Sequence, residues 1–374
     1  MSRVVVVGAL PESLLNFRGE LLKGLAAGGH QVTAMAAAAD AALVERLSSI
    51  GVAFRPFPVQ RNGLNPCADL RTFRALRSAF SELQPDVVLC YTVKPVVWGG
   101  LALRGLPGAR FYALVTGLGF AFHGSGVARR LLARLVVSLY RAALTRASAV
   151  VFQNPDNRDE FVARGIVGHD RCALVNGSGV DLDHFGCHPL DGGDPVFLSI
   201  GRLLGEKGFR EYAHAAALVR ERYPDARFLL LGPPDPSPDG IPLEEVRRWE
   251  SEAGVQYLGS ADDVRPYLKK CHVYVLPSYH EGMPRTVLEA MAMGRPILTT
   301  DVPGCRETVV KGENGHLVPL KDAEALAGQM TWFIENRDRW QSMGDRSREL
   351  ARERFDVHSV NRELVRVFGL GEES

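Results

Sequence analysis

The strongest constraint on how this chain can fold is an alternation that runs along nearly all of it. Short apolar runs, rich in Val, Leu, Ile and Phe, are separated by amphipathic segments, and the series occurs twice. The first series holds RVVVVG, QVTAMAA, VAFRPFPV, DVVLCYT, RFYALVT, AVVFQN and CALVNG. The second holds PVFLSIG, RFLLLG, VQYLG, HVYVLPS and PILTT. Between most of these runs lie helical patterns such as SLLNFRGELLKGLAAGG, closed by glycine as helix ends often are. Strands that are apolar throughout, rather than at every second position, belong to parallel sheets covered by helices on both faces. The expected fold class is therefore α/β, with two doubly wound domains in succession. A stretch rich in Gly, Pro and Asp, FGCHPLDGGDP from Phe185 to Pro195, marks the break. The expected domains are residues 1–187 and 188–355, followed by a last helix from about Asp356. Open sheets of this kind hold ligands at the carboxyl ends of their strands, here in a cleft between the domains.

Composition agrees with that reading. A chain of 374 residues is too long for one ordinary core, and 46% hydrophobic with 23% charged residues describes a soluble globular protein. The six cysteines form no C-x-x-C pair, which argues against a zinc or disulfide framework and for a reducing compartment. The opening MSRVVVVGAL is followed at once by Pro11 and Glu12, so it reads as a buried strand rather than a signal peptide. Arg134 interrupts the most apolar helical stretch, LLARLVVSLY, and no run of about 18 apolar residues suggests a membrane span. The net charge of +1 hides an asymmetry. Residues 1–155 carry 17 basic and 7 acidic side chains, whereas the remainder carries 27 and 36. A basic first half suits a phosphate-bearing surface.

The chemistry is concentrated in two stretches of the second half. In YHEGMPRTVLEAMAMGRP, a strand runs into a glycine-containing turn and a helix that begins near Pro284, a residue suited to the first helical position. Such a helix N-terminus offers unpaired N–H groups and the positive end of a dipole to an anion. Glu281 lies at the mouth of that turn and Glu289 more than one helical turn beyond, so the two carboxylates are placed to hold different parts of one long ligand. The plainer alternative makes Glu281 a helix cap and leaves Glu289 in solvent. In SIGRLLGEKGFREY a second strand ends at Gly201, followed by Arg202 and Lys207 ahead of another helix. A guanidinium fork and a mobile ammonium on such a loop would neutralise a diphosphate.

Together GRLLGEKG, EGMPRTVLE and AMAMGRPILTTDVPGCRETVVKGENGHLVP resemble the retaining glycosyltransferases of family 4, along nearly the whole chain. The resemblance implies the GT-B fold of two Rossmann-like domains, with a C-terminal helix at about 356–374 that crosses back to the first. It implies that Arg202 and Lys207 bind the donor diphosphate beside Gly201, and that Glu289 binds the ribose. Glu281 would touch the transferred sugar, and the backbone of Gly282, Met283, Pro284, Arg285 and Thr286 would cradle phosphate. Main-chain groups around Gly259 would receive the base. The resemblance also implies that the leaving phosphate takes the acceptor's proton on the same face, without a separate base. No cofactor or metal is implied. A D-x-D pair, Asp181 and Asp183, stands in GSGVDLDHF without further ligands nearby, and VVVVGALPES lacks G-x-G-x-x-G, so metal and dinucleotide readings fit poorly.

The first half must then hold the acceptor. GALPESLLNFRGELL, CYTVKPVVWGG and VTGLGFAFHGSG place Asn16 or Arg18, Lys94 and His123 at strand ends, with His123 a candidate to orient a hydroxyl. These segments, with FQNPDNRDEFVARG and GSGVDLDHF, resemble a subgroup that builds capsule, O-antigen and glycan chains on undecaprenyl diphosphate. One type of that subgroup adds N-acetylgalactosamine to lipid-linked diacetylbacillosamine. The resemblance implies a UDP-N-acetylhexosamine donor and a polyprenyl-diphosphate saccharide acceptor, with no nucleic acid as partner. Arg71, Arg74 and Arg77 form one helical stripe, and Arg129, Arg130, Arg134 and Arg141 surround apolar residues in a second basic helix. Such helices suit an anionic bilayer surface, which gives a cytoplasmic protein peripheral on the inner face of the membrane. They serve equally as ordinary helical covers of a sheet. Two other classes remain open: a nucleotide-sugar epimerase of the same architecture, and a non-catalytic subunit of a glycan assembly complex.

Overall fold

Alternate residues of the first apolar run point into different cores: Val5 and Val7 join one, Val4 and Val6 the other. Two-sided burial is why these strands read as continuous apolar runs, and each buried Val contributes about 1.5–3 kcal/mol. The computed structural model describes residues 1–60, 63, 65–106, 108–117 and 127–371. They fall into two compact units, Met1–Ser178 with His358–Ser374, and Gly179–Val357.

In the first unit the strands are β1 (Arg3–Val7), β2 (Gln31–Ala36), β3 (Val52–Pro56), β4 (Val87–Tyr91), β5 (Arg110–Val115), β6 (Ala147–Phe152) and β7 (Cys172–Leu174). They pair in parallel in the order β3-β2-β1-β4-β5-β6-β7. Interleaved with them are the helices α1 (Pro11–Ala27), α2 (Ala41–Ser49), α3 (Pro66–Leu83), α4 (Val93–Leu103), α5 (Val127–Leu144) and α6 (Pro155–Ala163). Strand order reverses between β1 and β4, so the connections leaving them diverge and open a crevice at their carboxyl ends.

The second unit repeats the plan with β8 (Val196–Ile200), β9 (Arg227–Leu231), β10 (Val255–Tyr257), β11 (Val273–Leu276), β12 (Ile297–Thr300) and β13 (Gly315–Val318). Their parallel order is β10-β9-β8-β11-β12-β13. Its helices are α7 (Phe209–Arg222), α8 (Leu243–Glu252), α9 (Arg265–Lys270), α10 (Arg285–Ala292), α11 (Ala323–Glu335) and α12 (Trp340–Arg354). Here the order reverses between β8 and β11, the strands that end in the two stretches singled out above. The twofold α/β alternation is thus the architecture of the chain.

The last helix, α13 (Val357–Val367), carries Val360 and Leu364 into the core of the first unit, and Phe368 just beyond it follows at the same spacing. The Tyr112 hydroxyl donates to the Phe368 carbonyl at 3.1 Å, and the two rings lie 5.0 Å apart. The units divide between Ser178 and Gly179, ahead of the Gly/Pro-rich stretch that suggested a break at 187/188. The reason is burial. Val180 and Phe185 pack with Leu350 and Phe355 of the second unit, and the Val180 amide donates to the Phe355 carbonyl at 2.8 Å.

Candidate functional site

The site residues of the second half, Gly259 after β10 apart, stand on the connections that leave β8 and β11. After β8 the chain makes a single 3₁₀ turn, Gly205–Lys207, and enters α7 through Gly208 at φ +72°. A Cβ there would lie 2.0 Å from the Pro277 carbonyl oxygen, so only glycine lets the Lys207 loop close against the end of β11. The Tyr279 amide then donates to the Glu206 carbonyl at 2.8 Å, and His280 Nε2 sits 3.3 Å from a Glu206 carboxylate oxygen. The His280 hydrogen bond holds the Glu206 carboxyl below the usual range, against the effect of burial. The two loops are therefore tied before any charged pair between the expected site residues is counted.

That pair is Lys207 and Glu281. The Lys207 ammonium reaches a Glu281 oxygen at 2.5 Å, and the same oxygen accepts from Ser278 Oγ at 2.8 Å. The Glu281 amide donates to the Pro303 carbonyl at 3.1 Å. Gly304 permits that approach, because a Cβ at its φ of +84° would lie 2.5 Å from the Glu281 carbonyl oxygen. Lysine has three donors, so one pair leaves others for a phosphate oxygen. Helix α10 starts at Arg285, with Pro284 as the extended residue before it rather than the first helical one. Gly294, at φ +76°, follows its end.

Glu289 is only 6% exposed and is paired with Arg285 Nε at 2.7 Å, so it is not a solvated helix residue. Burial raises its carboxyl above the usual range, with Arg285 opposing. Thr286 links α10 back to β8: the buried Tyr274 hydroxyl donates to Thr286 Oγ1 at 2.6 Å, and Thr286 reaches the Ile200 carbonyl at 3.4 Å. Gly282 and Pro284 are buried and Met283 is partly buried in the same turn. Gly201 ends β8, its amide on the Leu231 carbonyl at 3.0 Å. Gly259 has φ +74°, open space where a side chain would be, and a carbonyl that accepts from Gly232 N–H at 2.7 Å. Arg202 differs from Lys207 in its partner, pairing through Nη1 with Asp235. Sequence reading did not find Asp235, Glu206, His280 or Tyr274, because each acts through a partner on another connection.

In the first unit the expected acceptor residues separate. Asn16 is exposed, whereas Arg18, two positions on and so on another helical face, is buried with its guanidinium 5.4 Å from the Tyr91 ring centroid. The Tyr91 hydroxyl lies 2.8 Å from Ser13 Oγ, and burial pushes it up to about 12. Lys94 stands in the first turn of α4, where the dipole opposes a cation, and Asp69 offsets that cost at 2.8 Å. Thr92, the residue before α4, has φ +67° and ψ 161°, a strained conformation for a branched side chain. His123 lies outside the described residues. Asp181 spends one oxygen on the amides of Asp183 and His184, both at 2.9 Å, as a turn rather than as an open ligand. Among the described residues no group of three or more His, Cys, Asp or Glu side chains is arranged to hold a metal.

Comparison with known proteins agrees with this plan. Residues 17–177 match the family described as "Glycosyl transferase 4-like domain", and residues 194–336 match "Glycosyl transferases group 1". The chain belongs to the family 4 glycosyltransferases. The transferase is 26% identical over 337 residues to N,N'-diacetylbacillosaminyl-diphospho-undecaprenol alpha-1,3-N-acetylgalactosaminyltransferase of Campylobacter jejuni, covering 87% of each chain. It is 29% identical over 207 residues to the lipopolysaccharide core biosynthesis glycosyltransferase LpsE of Rhizobium meliloti, covering 54% of this chain and 56% of that one. Among solved structures, sucrose-phosphate synthase from Thermosynechococcus elongatus superposes with a TM-score of 0.81 at 19% identity, covering 99% and 98% of the two chains. HepE of Anabaena in complex with UDP and glucose gives 0.78 at 18% identity, covering 99% and 100%. These neighbours establish the GT-B fold. The family models make this chain a glycosyltransferase, and the Rhizobium relative is named for lipopolysaccharide core biosynthesis.

Proposed function

We propose that the enzyme is a retaining transferase that moves a sugar, an N-acetylhexosamine, from a UDP-sugar to a polyprenyl-diphosphate-linked saccharide. The observation that carries the donor half is the Lys207–Glu281 pair, held between two tied loops at the β8/β11 switch point with Arg202 on the same loop. Breaking a sugar–phosphate bond leaves negative charge on the diphosphate, and fixed cations aimed at that charge lower the barrier. Arg202 and Lys207 supply those cations, so the proposed transfer needs no metal. Glu289, buried within α10, takes the ribose hydroxyls, and Gly282 to Thr286 present backbone to phosphate. The open space at Gly259 receives the base. Glu281 shares its carboxylate between Lys207 and a sugar hydroxyl. The leaving phosphate accepts the acceptor's proton.

The lipid-linked acceptor rests on the Campylobacter relative, whose name specifies such a substrate, and on the first unit. There Thr92 and Lys94 flank the N-terminus of α4 at the β1/β4 switch point, suited to an acceptor diphosphate. Helix α5 exposes Leu131 and Leu135, at 58% and 56%, beside the exposed Arg130 and Arg134, and has no acidic residue. That face supports peripheral docking on the inner, anionic face of the cytoplasmic membrane. Among the described residues no helix is long and apolar enough to cross a membrane.

The test is a panel of UDP-sugars incubated with polyprenyl-diphosphate saccharides, with UDP release and product mass read together. UDP release that rises only with acceptor, and a product keeping the donor's anomeric configuration, is expected. Acceptor-independent turnover with no mass gain on the lipid favours an epimerase and overturns the transferase assignment. An inverted anomeric centre overturns retention alone.

A further inference from the structure

Arg202 is the one expected diphosphate cation whose orientation Glu281 does not set. Its side chain is 37% exposed and lies on a loop, so alone it would lose considerable rotamer freedom on gripping a phosphate. What fixes it is the connection between β9 and α8. Residues 233–241 wrap the Arg202–Lys207 turn with a run of hydrogen bonds. Leu203 N–H donates to the Pro233 carbonyl and Ile241 N–H to the Leu203 carbonyl, both at 2.9 Å. Gly205 N–H donates to the Asp239 carbonyl and Glu206 N–H to the Asp239 carboxylate, again at 2.9 Å. From this brace Asp235 projects its carboxylate onto Arg202 Nη1. The other Asp235 oxygen accepts from the Ser237 amide at 2.9 Å, and the side chain is 6% exposed.

Two readings of such a carboxylate predict opposite outcomes. A place-holder would leave when a diphosphate arrives, and its removal would tighten binding. A positioning group would stay. Asp235 cannot follow a departing Arg202, because its second oxygen is fixed to Ser237 and the chain around it is bound to the turn. If Arg202 swung away, a buried carboxylate would lose its counter-cation, a costly state. The guanidinium carries five N–H donors in a rigid fork, and Asp235 engages Nη1 only, leaving other edges for phosphate oxygens. We infer that Asp235 is a positioning residue that holds the Arg202 guanidinium oriented for the donor diphosphate, through the brace formed by residues 233–241. This rests on the donor-site reading proposed above.

The experiment is a double-mutant cycle on the full chain, with UDP as the probe and its dissociation constant measured by calorimetry. Arg202→Ala and Asp235→Ala are each expected to weaken UDP by roughly ten-fold, and the double variant to bind no worse than Arg202→Ala alone. Asp235→Asn, which keeps the shape and one acceptor oxygen, should fall between wild type and Asp235→Ala. It also answers the cycle if the alanine variant does not fold. A merely structural role for Asp235 would make the two losses multiply, and that result overturns the inference. So does UDP binding at wild-type strength or tighter in both Asp235 variants while Arg202→Ala is weakened. If Arg202→Ala binds UDP like wild type, the donor-site reading fails first and takes the inference with it.

Discussion

Lys207 and Glu281 come from positions 74 apart, yet their charged groups meet at 2.5 Å in the site. Replacing Lys207 with alanine takes away the ammonium at the part-buried Glu281 carboxylate and the cation proposed for the leaving diphosphate. Turnover should drop at least ~10²-fold, as when one oxyanion donor is lost. Near-normal turnover would remove Lys207 from the chemistry. Glu289 tests the opposite balance. Burial raises its carboxyl, so ionised Glu289 costs stability at neutral pH. The stabilising contribution of its protonated form is complete below the pKa of an unfolded glutamate and is lost as pH rises through the higher folded value. Glu289→Gln should therefore raise Tm at pH 7 and flatten stability across that acidic window, while donor binding weakens. A lower Tm, or undiminished UDP affinity, would contradict the assignment. The sequence singles out both glutamates through their spacing. Their partners were not, because Ser278 and Arg285 are unremarkable residues until the loop closes.

At the level of elements, helix α5 shows what amphipathic pattern can and cannot tell. Its basic character is plain in VARRLLARLVVSLYRAAL, but which arginines face outward depends on distant backbone. Arg141 Nε donates to the Gly165 carbonyl at 3.0 Å and Arg171 to the Leu144 carbonyl at 3.1 Å, while Arg104 reaches the Ala142 carbonyl. These cations satisfy carbonyls at the end of α5 and in the turn after α6. Arg141, expected at the bilayer, is thus committed to the fold, and Arg130 and Arg134 with Leu131 and Leu135 carry the outward face. The enzyme should float with phosphatidylglycerol vesicles at low salt and release as salt rises. Leu131→Glu with Leu135→Glu should abolish flotation with activity on a short soluble acceptor retained. Flotation unchanged in that variant would place the membrane contact elsewhere. Strand β13 was missed for a related reason: only Gly315 and Val318 of its four residues are buried, so no continuous apolar run announces it.

For the molecule as a whole, two cores in series were legible because two-sided burial writes itself as uninterrupted apolar strands. The exact break was not, since Val180 and Phe185 look like linker residues until Phe355 and Leu350 are seen against them. Nor did the sequence show the depth to which Phe368 commits the chain's end to the first unit. This division makes a prediction about where a nucleotide acts. Every residue proposed to bind the donor lies within Gly179–Val357. A ligand that binds only the folded form stabilises what it binds by RT ln(1 + [L]/Kd), about 2.7 kcal/mol at a hundred-fold excess over Kd. Amides that exchange only when the second unit opens should then slow by roughly 100-fold in saturating UDP, most clearly in β8, β11 and α10. Those of β1 to β6 should exchange at their ligand-free rates, because every residue proposed to hold UDP lies in the second unit. Hydrogen exchange read by mass spectrometry measures both sets in one experiment. Equal protection of the first unit would mean that the nucleotide stabilises both sets of strands together, and the donor site would have to be rebuilt with residues from each.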